Sequence, residues 1–556
     1  MTLALSVVRV LAQLLLVLIT LLVITLWPFI RKRVRRASLT SVAGPPRPSF
    51  VTGNLPELFD PNSWEHHRKL VKQYGGAFKV YGLLGEEIVY LSDPKALTHI
   101  LLEKQDIYER TDFFLKANLV CLGPSLVSLE GTPHKRQRKM LSPIFSPNQI
   151  KALTPIFHKV SDELREAITL QLGDLETGHS AEIDMLHWVK RTALELIGQG
   201  GLGYSFGRLD SKSANEYSDA VRNFAPMLTK TVIVRQFLPF FSQFGSASFR
   251  RWAVKLLPID SVQKLREIVD AMDRTARLVL NDRKGQPQSE VLKEENLLKN
   301  VDGKDLMSIL LAENAKSSEE DRLSEEELEG IISTFIFGGQ DTTTGAISYA
   351  LHEFALHPDA QERLRKEVVD ATVSDEHLSF ADVHKLPYLD SVVRETLRIH
   401  PPIYIVQRTN IQDDVLPLSR PVLGADGSTL LDSLPLRKDT TLLIAIEAAN
   451  RNLDLWGPDA GEWRPERWLS PLPRVAEESG LPSIYSHIVT FFAGNRSCIG
   501  FKFAELEMKI VLSTLVRHFR FELPKDKKLA WKLGGIASPG VENDPIPKLP
   551  LRVSRV

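Results

Sequence analysis

The 556 residues carry 69 Lys+Arg against 69 Asp+Glu, so no excess of charge draws the chain to nucleic acid, and no such partner is expected. A hydrophobic share of 43% is that of an ordinary packed core. With Cys121 and Cys498 as the two cysteines, a disulfide framework is excluded, which suits a reducing compartment.

Taken in chain order, the first element is an uncharged apolar run from Val10 to Ile30, long enough to cross a bilayer. Arg9 alone precedes it, while Arg31, Lys32, Arg33, Arg35 and Arg36 follow. A cleaved signal peptide would have a shorter apolar region with the basic residues in front. The charge asymmetry instead predicts a single transmembrane anchor over 10–30, residues 1–9 in the lumen and the following chain in the cytosol. Residues 31–50 read as a basic and proline-rich linker, stiffened by Gly44-Pro45-Pro46-Arg47-Pro48. Residues 51–556 read as one large catalytic domain.

A hairpin is predicted from Ala77–Tyr81 and Ile88–Leu91, within a small β-rich lobe. From Pro94 to about Asp390 the pattern is overwhelmingly helical. His134-Lys135-Arg136-Gln137-Arg138-Lys139 puts His134 and Arg138 on one helix face and Lys135 and Lys139 on another. Asn281–Asp305, polar and holding Gly and Pro, reads as a loop. Ser324-Glu325-Glu326-Glu327 is a capping box opening a long helix to about His357, where Pro358 starts the next. Inside it, Gly338 and Gly339 each cost about 1 kcal/mol relative to alanine, so they call for a reason. Either helices pack closely there or the bare backbone must approach a ligand, and an acid and an alcohol, Asp341 and Thr342, come directly after.

Leu386–Ile399 is predicted helical and carries Glu395 and Arg398, a spacing that alone is most often a surface ion pair. Ile403–Thr409 reads as extended and ends near Arg408. Downstream lie Trp463-Arg464-Pro465-Glu466-Arg467-Trp468 and then Phe491-Phe-Ala-Gly-Asn-Arg-Ser-Cys498-Ile-Gly-Phe-Lys-Phe503. Gly494, Asn495 and Gly500 permit a tight backbone around the Cys498 sulfur. Ile499, Phe503, Leu506 and Ile510 recur at helical spacing, which places Cys498 at a helix N-terminus. The helix's positive end and Arg496 are expected to favour its thiolate.

The order Phe491-x-x-Gly494-x-Arg496-x-Cys498-x-Gly500 resembles, without a gap, the ligand loop of the haem-thiolate monooxygenases, the cytochrome P-450 superfamily. The likeness is to eukaryotic microsomal members, in a fungal style. Gly338-Gly339-Gln340-Asp341-Thr342 resembles the family's oxygen-activation segment, and Glu395-x-x-Arg398 with Arg467 its structural triad. The resemblance covers roughly Gly44–Val556 and leaves the anchor outside it.

The resemblance implies a mainly α fold with a small β-rich lobe. Haem b would lie between the Ser324-capped helix and the Cys498 helix, with Cys498 as its axial thiolate. It further implies Gly339, Asp341 and Thr342 in catalysis. Phe491, Gly494 and Arg496 would shape the ligand loop, Arg138 and, less closely matched, His134 would hold one propionate, and Arg408 the other. Ile403–Val406 would line the pocket, with Phe113, Phe114 and Phe335 as further candidates. The activity implied is oxidation of a lipophilic small molecule, such as a terpenoid, sterol, fatty acid or other specialised metabolite, with O2. No flavin or nicotinamide fingerprint accompanies the motifs, so electrons are expected from an NADPH-dependent flavoprotein reductase, docked on Lys135, Arg136 and Lys139. The endoplasmic reticulum membrane is the expected location. Two other readings are a haem-thiolate isomerase or dehydratase working on a peroxide without electrons, and a non-enzymatic haem binder. The intact Asp341-Thr342 pair argues against both.

Overall fold

The computed structural model describes residues 39–173, 180–207, 209, 224–285, 305–372, 377–478 and 480–556, with 13, 16 and 20. The apolar run at 10–30 and residues 1–9 therefore lie outside the described residues, apart from Gln13, Leu16 and Thr20, which are helical. No helix among the described residues is long and apolar enough to cross a membrane.

A five-stranded sheet gathers β1 (Ala77–Tyr81), β2 (Glu87–Leu91), β3 (Tyr108–Glu109), β4 (Ile405–Asn410) and β5 (Thr441–Ala445) in the order β1-β2-β5-β4-β3. β2 and β5 run parallel, and the other neighbours are antiparallel. Alternate residues serve two cores. Phe78, Val80, Ile88, Tyr90, Leu443 and Ala445 pack with Leu58 and Leu70 on one face, while Ala77, Val89, Leu91, Leu442 and Ile444 join the main helical core. Burial on both faces makes the central strands read as apolar runs rather than alternating ones.

The helices used below are α1 (Asp112–Leu122), α2 (Gly131–Leu141), α3 (Thr154–Leu172), α4 (Met185–Leu196), α5 (Phe224–Lys230), α6 (Val232–Arg235), α7 (Asp260–Gly285), α8 (Glu325–Leu356), α9 (Pro358–Ala371), α10 (Pro387–Ile399) and α11 (Phe501–His518). The predicted capping box of α8 is formed in both directions: Ser324 Oγ accepts from Glu327 N at 3.2 Å, and Glu327 Oε2 accepts from Ser324 N at 3.0 Å. α8 runs through the core against α4, α7 and α11, and α11 packs in turn on α3, α9 and α10.

One boundary differs from expectation. The loop expected from Asn281 starts later, because α7 continues helically to Gly285. From Leu39 onward the proline-rich segment also lies against the sheet. Lys79 N donates to Ala43 O at 2.9 Å, and Ala43 N to Leu423 O at 3.2 Å. A Cβ at Gly44 would stand 1.9 Å from the Lys79 carbonyl oxygen, so only glycine lets the segment lie against β1.

Candidate active site

The Phe491–Cys498 loop closes on itself, with Cys498 N donating to Phe491 O at 2.8 Å. Gly494 has φ +66, and a Cβ there would meet the Leu101 carbonyl oxygen at 2.2 Å and Gln105 Oε1 at 2.5 Å. Phe492 holds φ 60, ψ −168, a region that costs a side-chain-bearing residue about 1–3 kcal/mol. α11 begins three residues after Cys498, as the helical spacing predicts.

Cys498 is exposed, while Ala493 (3%), Ser497 (9%) and Phe503 (3%) around it are buried. Its thiol pKa is nevertheless pushed up by burial, against the opposing pull of the Gly500 N–H and Arg138. The two observations agree if the sulfur opens onto a space inside the protein. The cation facing it is Arg138, not Arg496 as the sequence suggests; Arg496 pairs with Glu109 at 2.7 Å and donates to Leu129 O at 2.9 Å. Nor is a thiolate favoured by the protein alone, because burial outweighs both positive influences; a coordinating cation is what would reverse the balance.

Around the same loop stand four arginines. Arg138 donates to Ser497 O at 2.6 Å and Ser497 Oγ at 2.9 Å. Arg408 is 4% exposed and finds only the neighbouring Gln407 O at 3.0 Å, with the Phe492 ring 5.1 Å away. Arg110 reaches Val127 O at 3.3 Å and lies 4.8 Å over the Phe114 ring, leaving its Nε buried without a partner. Burial first, then the charges of Arg408 and Arg496, lower the pKa of Arg110; burial and Arg496 do the same to Arg408. His134 is buried among them and pushed down to about 3, chiefly by burial and then by Arg496, so it is neutral. One carboxylate, Glu109, forms an ion pair with this group. A buried surplus of guanidinium around an inward-opening thiol fits haem, whose two carboxylates would meet the arginines and whose iron would meet the sulfur. Arg110 was not singled out by sequence; its only local signal is a basic residue between a short strand and the Thr111 cap of α1.

The Glu395 triad forms. Arg398 makes a two-pronged pair with Glu395, 2.8 Å on each side, and its remaining donors reach Asn450 O, Ala460 O and Glu462 O. Arg467 Nε lies 3.4 Å from Glu395, which also accepts from Trp468 Nε1 at 2.9 Å and Arg464 N at 3.0 Å. Asn450 carries this network onward: its Oδ1 accepts from Val489 N and its Nδ2 donates to Thr490 Oγ1, each at 2.8 Å, next to Phe491.

On α8 the two glycines divide the two reasons offered for them. A Cβ at Gly339 would lie 2.9 Å from Ile197, so this glycine serves close packing. A Cβ at Gly338 would meet nothing within 4 Å, and Gly338 is exposed, so it presents bare backbone to open space. Asp341 pairs with Lys190 of α4 at 3.0 Å. Thr342 Oγ1 donates to Gly338 O at 2.6 Å.

Some expected roles move elsewhere. Ile405 packs into the small-lobe core, because alternation along β4 turns Val406 and Arg408 to the other face. Phe335 stacks edge-on against Phe145 at 5.3 Å. The basic surface at α2 is smaller than its sequence suggests. Arg136 turns in to pair with Glu327, while Lys135 and Lys139 stay exposed opposite Asp106 and Asp321.

The model of the family described as cytochrome P450 matches residues 43–539. A cytochrome P450 monooxygenase of Postia placenta is 42% identical over 519 residues, covering 93% of this chain and 94% of the relative. A ganoderic acid synthetase of Ganoderma lucidum is 37% identical over 524 residues, covering 93% and 94%. A crystal structure of a cytochrome P450 superposes with a TM-score of 0.67 at 20% identity, over 93% of this chain and all of the other.

Proposed function

This chain belongs to the cytochrome P450 family and is a monooxygenase, and we propose that it is anchored in the endoplasmic reticulum membrane and oxidises a lipophilic small molecule with electrons from an NADPH-dependent flavoprotein reductase. The observation that carries the site reading is Cys498, an exposed sulfur between buried neighbours, beside under-partnered arginines. Haem b bound there would supply oxygen activation, which thiolate ligation promotes by pushing electron density towards the iron.

The chain's own residues do the rest. Cys498 would supply the thiolate to the haem iron, and Gly494 and Phe492 hold its loop in a shape that leaves the sulfur exposed. Arg110, Arg138, Arg408 and Arg496 would hold the propionates, with neutral His134 packed among them. Glu395, Arg398 and Arg467 fix the loop through Asn450. Gly338 leaves room on α8, Gly339 seats that helix, and Asp341 and Thr342 handle protons. The anchor at 10–30 is supported by its length and its basic flank, and a location beside lipid suits a lipophilic substrate. The Asp341-Thr342 pair supports an electron-using monooxygenase over a rearranging relative.

The test is the carbon monoxide spectrum of the reduced protein. The native chain and Cys121→Ser should give the red-shifted Soret band of thiolate ligation, and Cys498→Ser should lose it. A thiolate band that survives Cys498→Ser overturns the assignment. Deleting residues 1–36 should release a haem protein from membranes; a truncated chain that stays membrane-bound overturns the anchor.

A further inference from the structure

α5 and α6 form one nearly continuous rod, since Thr231 N donates to Met227 O at 3.0 Å and Arg235 N to Thr231 O at 2.9 Å across their junction. Phe224, Leu228, Thr231 and Arg235 fall at helical spacing on a single face of it. At one end of that face Phe224 meets the Phe337 ring at 5.1 Å. Phe337 is the neighbour of Gly338, where α8 opens to free space.

At the other end stands Arg235. Its guanidinium lies 5.4 Å over the Phe113 ring of α1, and its Nη2 donates to Leu228 O at 2.6 Å. The adjoining residue of α1, Phe114, is the ring beneath Arg110. Arg235 thus stands between α1 and the α5–α6 rod, whose other end touches α8 one residue from Gly338.

Nothing in that space answers its charge. Arg235 Nε is buried without a hydrogen-bond partner. No carboxylate pairs with it among the described residues. The one titratable group beside it is Cys121, whose thiol burial pushes up to about 11, so it is neutral at physiological pH. Leu228 O uses one of five donors, and a helix-capping role would leave the rest in water. Here burial withholds water from Nε as well. A buried cation held without a counter-charge is costly unless one arrives with a ligand.

We propose that Arg235 binds the carboxylate of the substrate, which is then a lipophilic acid rather than a neutral lipid. The inference rests on the monooxygenase reading for what happens at the far end of the ligand. The Arg235 guanidinium folds back two turns to Leu228 O, a carbonyl only four residues, or about 6 Å of helix, beyond Phe224. The forked guanidinium suits a carboxylate, which it can grip with two donors at once.

The experiment measures binding and not turnover. Radiolabelled tetradecanoic acid and tetradecan-1-ol are dialysed to equilibrium against the haem-loaded full chain in detergent. The acid should bind the native protein about tenfold more tightly than the alcohol. Arg235→Gln keeps a polar but uncharged side chain, and in it the preference should shrink to about twofold or less, with alcohol binding unchanged. Arg235→Lys should retain most of it. Arg235→Met serves as a second neutral variant if the first holds less haem than native. Equal binding of acid and alcohol by the native protein, or a preference that survives both neutral variants, overturns the proposal. A chain that prefers the acid through Arg235 yet oxidises nothing would defeat the monooxygenase reading and leave this inference standing.

Discussion

Two groups of buried arginines adjoin the Phe491–Cys498 loop, and they are built on opposite terms. Arg398 places five N–H donors on five acceptors, two on Glu395 and three on backbone carbonyls. Arg110 and Arg408 have a single backbone carbonyl each, and Arg110 leaves Nε bare. A fully satisfied buried charge is architecture: it pays its desolvation in fixed hydrogen bonds and asks for nothing further. An unsatisfied one raises the energy of the protein alone and lowers that of the protein with an anion. The difference separates the residues that shape the loop from those that await a cofactor.

The comparison breaks most visibly at the satisfied group. Arg398→Ala strands the Glu395 carboxylate in the core, beside carbonyls that have lost their donor. Removing one partner of a buried pair costs about 3–5 kcal/mol, a large part of the margin that holds a domain together. The expected outcome is no recoverable haem-loaded protein. Arg398→Lys should fare little better, since an ammonium cannot reproduce a planar five-donor fork. Recovery of Arg398→Ala with normal haem content, measured after purification, would place this group outside the architecture.

At the second group the sign should invert. Arg408→Leu removes an under-partnered cation that repels Arg496 and Arg110, so the haem-free protein should unfold at an equal or higher denaturant concentration than native. Haem retention should fall, because charged hydrogen bonds are worth about 1.5–3 kcal/mol each, or roughly tenfold to a hundredfold in affinity. Haem loss to a scavenging apoprotein measures one quantity and haem-free unfolding the other. Arg110→Leu should behave alike. A variant that loses stability without haem would return these arginines to the architectural class.

Which parts of this were legible in the chain follows from how far each interaction reaches. The α8 capping box, the positive-φ glycine of the Cys498 loop and the bare backbone at Gly338 each depend on neighbours within a few residues, and all are readable. Arg136 turning inward to Glu327, Lys190 meeting Asp341 and Arg110 joining Arg408 depend on which helix faces which. Local spacing carries no trace of those pairings. Ile405 is an instructive miss: the strand was predicted, but one residue of register decides which of two cores a side chain enters. The direction of the Cys498 pKa failed for a related reason, since the helix terminus was visible in sequence and the depth of burial was not.

Thr342 tests the comparison at its smallest scale, because it belongs to both sides of it. Its hydroxyl is satisfied, donating to Gly338 O at 2.6 Å, as mid-helix threonines often do. Yet the carbonyl it uses belongs to the residue that faces open space, and Asp341 beside it is held by Lys190. A hydroxyl that donates still has lone pairs to accept with, and it can turn its proton to a new partner without adding charge. If Thr342 only trims the helix, Thr342→Ala exchanges one backbone contact for water, and product formed per NADPH stays constant. If it holds a proton at Oγ1 for the reacting oxygen, NADPH and O2 are still consumed while product falls several-fold and hydrogen peroxide rises. Thr342→Ser, which keeps the hydroxyl, should restore most of the coupling in the second case. We expect uncoupling with rescue. Unchanged coupling in a haem-replete Thr342→Ala protein would assign the residue to the satisfied, structural class alone.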